Sequence, residues 1–169
     1  MKKKILFGLV AFLIIIQFFR PEKNLSGENS KDISKKYPVP QEVSAILDVA
    51  CKDCHSNKTN YPWYFNVQPV AIWLSFHISE AKQHLNFSTY LSRPIAVQNH
   101  RFEEIMEMIK EKEMPLPSYT YFGLHADANL SDDQRQTIIN WAQTQMDSLK
   151  SQYPPDSLVM KRRAPPPVQ

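Results

Sequence analysis

Apolar positions along the chain fall into blocks, each with its own period. From Ile5 to Ile16 no polar residue interrupts; Lys2, Lys3 and Lys4 precede the run, and Gln17, Phe18, Phe19, Arg20 and Pro21 close it. A basic start followed by an apolar run of this length has the pattern of an export signal. No A-x-A-like site follows between Phe18 and Ser30, so residues 1–20 are expected to stay as an N-terminal membrane anchor, with cleavage as the other outcome. The run is short for the roughly 20 residues of a full span. Further on, Val43, Ile46, Leu47 and Ala50 recur at helical spacing and predict a helix from Gln41 to Ala50. Pro69 opens another, with Val70, Trp73, Leu74, His77, Ile78, Ala81 and Leu85 as its expected inward face. A third, from Asn99 to Glu111, carries Phe102, Ile105, Met106 and Ile109. In the last, Ser131 and Gln134 form a capping box ahead of Ile138, Ile139, Trp141, Ala142 and Met146.

No strand-like alternation competes with these periods, and the expected fold class is all-α. Three glycines in 169 residues argue against a hairpin-rich β fold and leave no glycine-rich phosphate loop. Residues 21–36 are polar, without an aromatic, and read as a linker. The folded domain is expected over 37–152. The Tyr153-Pro-Pro155 break then starts a proline-rich basic tail, 153–169, expected to be disordered. Net charge is +3, partly in the two ends of the chain, and no nucleic-acid partner is expected. The three N-terminal lysines stay on the cytoplasmic side under the positive-inside rule, which puts the domain on the outer face of a bacterial inner membrane.

The only two cysteines lie in Cys51-Lys52-Asp53-Cys54-His55. C-x-x-C-H is the attachment sequence of c-type haem. Thiols three residues apart, on about one helical turn, reach the two vinyl groups of one porphyrin edge, and the adjacent His55 becomes the axial iron ligand. Other readings of the pair compete. A thioredoxin-like motif needs a βαβ setting, which the helical flanks do not provide. Zinc needs a fourth ligand, and consecutive Cys54 and His55 suit one tetrahedral ion poorly. A disulfide would close a very small loop and stabilise little.

Between the two outer helices, aromatics from Tyr61 to Phe65 are dense enough to cover a haem face. Met114 precedes Pro115 and Pro117, in a loop where two prolines forbid helix. A thioether held there suits the sixth iron position. His77 as sixth ligand, or an open iron, are the alternatives, and Met106 and Met146 read as core.

The stretch from Cys51 through Ser56, Asn57, Tyr61, Pro62 and Trp63 resembles the bacterial haem-binding domain family, a group of cytochrome-c-like exported proteins. The resemblance continues through Pro69 to Leu74, His77, Leu85 to Ser88, Met114-Pro115 and the Ser131 to Trp141 helix. It implies a cytochrome-c-like helical domain with covalent haem c, attached at Cys51 and Cys54, with His55 as axial ligand. Met114 matches the family's Met-Pro element. The function expected is a single-haem electron-transfer domain without enzymatic activity of its own. It would meet redox proteins transiently and the membrane through its N-terminal segment. A peroxidase-like enzyme or a sensor with an open iron, using His77 or His100, is the alternative.

Overall fold

The computed structural model describes residues 2–160. Every regular element among them is helical: α1 (Lys2–Ile16), α2 (Gln41–Ala50), α3 (Lys52–His55), α4 (Val70–His84), α5 (Ile95–Lys110), α6 (Pro117–Thr120) and α7 (Asp132–Gln152), with short 3-10 turns between. The chain divides into two compact units. One comprises residues 2–30 with Lys52–Ser88, the other Lys31–Cys51 with 89–160.

The larger unit is built on α5 and α7, with α2 against α7. Its core takes Val43, Ile46 and Leu47 from α2, Phe102, Ile105 and Ile109 from α5, and Ile138, Trp141, Ala142, Met146 and Leu149 from α7. Ser131 accepts from the Gln134 amide while the Gln134 side chain accepts from the Ser131 amide, so the capping box forms as the sequence predicts. Phe102 has no exposed surface, and it meets Tyr37 and Trp141 edge-on, at 5.0 and 5.6 Å between ring centres. Trp141 Nε1 donates to the Pro38 carbonyl at 2.8 Å. Buried Gln98 serves two phenols: Tyr37 donates to its Oε1 and Tyr90 to its backbone oxygen, both at 2.6 Å.

Helix α5 begins four residues before the expected Asn99, directly after Pro94. Its first turns bury polar Gln98 and Asn99, which hides the apolar period there. At the other end α7 stops at Gln152, but the chain keeps its place on this unit beyond the Tyr-Pro-Pro break. Pro155–Ser157 form a 3-10 turn, Leu158 is buried, and its carbonyl accepts from Asn99 Nδ2 at 3.4 Å. The rest of the expected tail, 161–169, lies outside the described residues.

In the smaller unit, α1 has 15 residues, roughly 22 Å at helical rise against about 30 Å of bilayer hydrocarbon. No helix among the described residues is long and apolar enough to cross a membrane, so a spanning anchor is not supported. The polar stretch read as a linker has partners within each unit. The Asn24 amide donates to Tyr61 Oη at 2.8 Å and the Gly27 amide to the Asn57 carbonyl at 3.0 Å. Farther on, Ile33 is buried in a 3-10 turn capped by Asp32. Helix α4 buries Leu74 and Ile78 of the expected stripe together with Ala71, while Val70 and Trp73 of that stripe are exposed. Its first two turns are apolar on every side, so the period there defines no single face. Packing against Phe65, Tyr61, Tyr64 and Cys54 selects the one that is buried.

Two outcomes follow from the larger unit's core. Phe102→Ala should lower unfolding free energy by about 3–5 kcal/mol, read as a drop in the urea midpoint with unchanged slope. Burial raises the Tyr37 and Tyr90 phenols above their ordinary range, with Tyr153 adding to the first and Tyr37 to the second. The fold favours their protonated forms, so this contribution is complete below the unfolded phenol value of about 10 and is lost as pH rises beyond it. Urea midpoints measured across that range should fall, and the fall should be shallower in Tyr90→Phe.

Candidate functional site

Helix α2 ends on Cys51, whose amide still donates to the Leu47 carbonyl at 3.0 Å. The chain then turns into α3, which carries Cys54 and His55. Ser56 closes α3 by donating to the Lys52 carbonyl at 2.7 Å and accepting from the Lys58 amide at 3.2 Å. The unit boundary falls directly after Cys51, so Cys54 and His55 are set by the smaller unit and Cys51 by the larger.

Two links tie the segment after the motif to the residues that follow α4, and a third holds those residues in a turn. The Asn57 amide donates to Ser88 Oγ at 3.1 Å, Asn86 Nδ2 to Asn57 Oδ1 at 2.8 Å, and the Ser88 amide to Asn86 Oδ1 at 3.0 Å. This pairing accounts physically for Ser56-Asn57 and Asn86-Phe87-Ser88 as elements of one site. At the end of α4, Leu85 leaves the helix in an extended conformation, which frees its carbonyl from the helical ladder. His55 Nδ1 lies 2.9 Å from that carbonyl oxygen, and the ring packs edge-on to buried Phe87, with 6.4 Å between ring centres.

A carbonyl only accepts, so Nδ1 carries the proton and Nε2 is the ring's basic nitrogen. Burial holds the His55 pKa below the ordinary histidine value. The Leu85 and Ala81 carbonyls pull it up, and the charges of His84 and Lys82 push it down. A neutral imidazole with Nδ1–H on a carbonyl is the form in which histidines bind metals, the hydrogen bond fixing both tautomer and ring orientation.

Cys51 and Cys54 are both thiols, with no disulfide. Cys54 packs against the Phe65, Leu74 and Ile78 cluster. Burial pushes its thiol up to about 11, with Asp53 adding and Lys82 opposing. The Lys82 ammonium donates to Thr59 Oγ1 at 2.8 Å and is itself lowered by burial. Among the described residues no three His, Cys, Asp or Glu side chains converge to hold a metal ion, so the zinc reading has no assembled donor set. Within the smaller unit, the Cys54 thiol stands next to a half-buried, oriented imidazole, a pair of groups that suits a haem-binding site.

Met114 belongs to the larger unit, in the loop after α5, and is half-buried. Its amide donates to the Met108 carbonyl at 3.2 Å, which also accepts from the Glu113 amide at 3.0 Å. Its carbonyl accepts from Arg135 Nη1 at 2.8 Å, and the same nitrogen reaches the Ile109 carbonyl at 3.2 Å. The Met114–Pro115 peptide is cis. Contrary to the expected helix-free loop, Pro117 starts the short α6, at a position where its missing amide is not needed. His77 Nδ1 lies 2.9 Å from the Trp73 carbonyl, and His100 pairs with Glu103 and Glu104 on α5. The Leu85 carbonyl and Arg135 were not singled out by sequence pattern. The first is a backbone group; the second acts 21 residues away from the methionine it holds.

Residues 11–144 match the haem-binding domain family. No curated protein and no solved structure matches the chain.

Because the thiolate is the reactive form, alkylation of Cys54 should follow its raised pKa. In folded, haem-free Cys51→Ser, the iodoacetamide rate should climb about tenfold per pH unit from pH 7 through pH 9.5 without levelling. A plateau near the ordinary thiol value would contradict the burial assigned to Cys54.

Proposed function

The chain belongs to the haem-binding domain family, and on that premise we propose that it is a covalent single-haem electron-transfer domain. Cys51 and Cys54 are the attachment thiols, His55 and Met114 the axial ligands, and the domain works on the outer face of a bacterial inner membrane. The observation that carries the reading is the hydrogen bond from His55 Nδ1 to the Leu85 carbonyl, which leaves Nε2 as the basic nitrogen of a neutral ring. The C-x-x-C-H spacing supports covalent attachment. Lys2 to Lys4 ahead of apolar α1 support export, and fifteen helical residues are within the length of a signal's apolar core.

When bound, haem supplies a one-electron ferrous–ferric couple. The residues of the chain hold and tune it. His55 donates a neutral nitrogen from a ring whose tautomer is fixed. Burial around that ring and around Cys54 lowers the local dielectric, which disfavours the more highly charged state. Met114 offers a neutral thioether, which favours ferrous iron. Arg135, the Met108 carbonyl and the adjacent Pro115 hold its backbone, so little conformational freedom is lost when the sulfur is engaged. Electron donor and acceptor are redox proteins that meet the domain transiently.

Protein made with a haem-maturation system should keep its haem through denaturing electrophoresis, and Cys51→Ala with Cys54→Ala should abolish this. Extraction of intact haem from the parent by acidified acetone would defeat the covalent reading. The parent should be six-coordinate and low-spin, with the weak far-red ferric band that reports sulfur ligation. Met114→Ala should remove that band, raise the spin state, lower the reduction potential and admit cyanide. If the band survives in Met114→Ala, the sixth ligand lies elsewhere; if His77→Ala opens the iron instead, His77 is that ligand.

A further inference from the structure

The smaller unit carries an apolar surface on α4, continued by Trp63 of the aromatic run that was expected over a haem face. Helix α4 buries one side, Ala71, Leu74 and Ile78, against the cluster that includes Cys54. On the far side of the helix from that thiol, Ile72, Trp73 and Phe76 are 55%, 47% and 65% exposed. Trp63, in the 3-10 turn before α4, is 73% exposed. The outer side changes character along the helix. Its first half is apolar and aromatic, whereas its second half presents Ser79, Glu80, Gln83 and His84 to solvent.

The apolar end of α4 is the end to which α1 is tied. Gln17 and Gln68 pair reciprocally: the Gln68 amide donates to Gln17 Oε1 at 2.9 Å, and Gln17 Nε2 donates to the Gln68 carbonyl at 3.2 Å. Gln68 Nε2 also donates to the Phe19 carbonyl. The family match opens at residue 11, inside α1, so the Gln17 pairing lies within the matched region. Helix α1 is apolar and exposed on all sides from Ile5 to Ile15. Such a helix calls for an apolar solvent on every side, not for a one-sided groove. Arg20 and Lys23 are exposed just past its end, with Glu22 between them, and Lys23 donates to Asn66 Oδ1 at 3.3 Å, beside the same apolar surface.

We propose that the outer face of the first half of α4, together with Trp63, docks on the surface of a phospholipid bilayer beside α1. Exposed tryptophans at a polarity boundary suit the headgroup region, and Arg20 and Lys23 suit its phosphates. The polar second half of α4 then points away from the lipid.

The test uses full-length protein and vesicles of phosphatidylethanolamine and phosphatidylglycerol. Ile72→Ser with Phe76→Ser changes two exposed side chains, so the urea midpoint should hold and α1 should keep the variant on the vesicles, while quenching of Trp63 and Trp73 by acyl-brominated lipid falls to less than about half the parent's. Quenching equal to the parent's would overturn the proposal. A second measurement leaves Ile72 and Phe76 unchanged. Acyl-brominated lipid should quench Trp63 and Trp73 relative to unbrominated vesicles. The emission left in Trp63→Phe with Trp73→Phe, which comes from buried Trp141, should show the same intensity in both. Equal parent emission in the two vesicle types overturns the docking. So does a double-serine variant that loses only self-association in sedimentation, since the face then belongs to a second copy. The brominated-to-unbrominated ratio is read with or without haem, so failure of the haem reading leaves this test intact.

Discussion

The site depends on one hydrogen bond, from His55 to the carbonyl of Leu85. It exists because α4 stops where it does. Were Leu85 one more helical residue, its carbonyl would point along the helix axis, and the imidazole would have no acceptor at Nδ1. The extended backbone at Leu85 and the links among Asn57, Asn86 and Ser88 hold the two chain segments in register. Phe87, almost fully buried, sets the ring from its edge. The ring is thereby oriented, with its proton placed on Nδ1, before any ligand arrives, which is what a metal-binding histidine requires.

In the larger unit the same logic operates on the backbone of Met114. A thioether has no hydrogen bond strong enough to hold it, so its position must come from the main chain. Arg135, on the first turns of α7, takes the Met114 carbonyl, and the Met108 carbonyl takes the amide. Arg135 thus connects the α5 terminus to the methionine loop through one guanidinium nitrogen. The polar core of this unit is similarly economical: Gln98 uses its side-chain oxygen and its backbone oxygen for two buried phenols, and its amide for the Arg93 carbonyl.

What was legible in the sequence is what has a period or a cap. Helix α2 shows the period and α7 both period and cap, and their buried residues follow the stripes read from spacing. The start of α5 was obscured because Gln98 and Asn99 are polar yet buried. On α4 Leu74 and Ile78 are buried as read, but Ala71 takes the place of Trp73, because Ile72, Trp73 and Phe76 make the other side equally hydrophobic and only the tertiary partners break that tie. The polar stretch after α1 looked like a tether because it is held largely through its own backbone, by Tyr61 Oη at Asn24, the Asn57 carbonyl at Gly27 and Asn57 Nδ2 at Glu28, and such contacts leave no compositional mark. The motif itself was readable at Cys51, Cys54 and His55, but the carbonyl that selects the histidine tautomer has no letter in the sequence.

Cysteine pairs three residues apart oxidise readily where one sulfur is available as thiolate to begin the exchange. With its thiol pushed up to about 11, Cys54 presents roughly one thiolate per ten thousand molecules at neutral pH. Burying that sulfur against Phe65, Leu74 and Ile78 therefore slows its loss to oxidants.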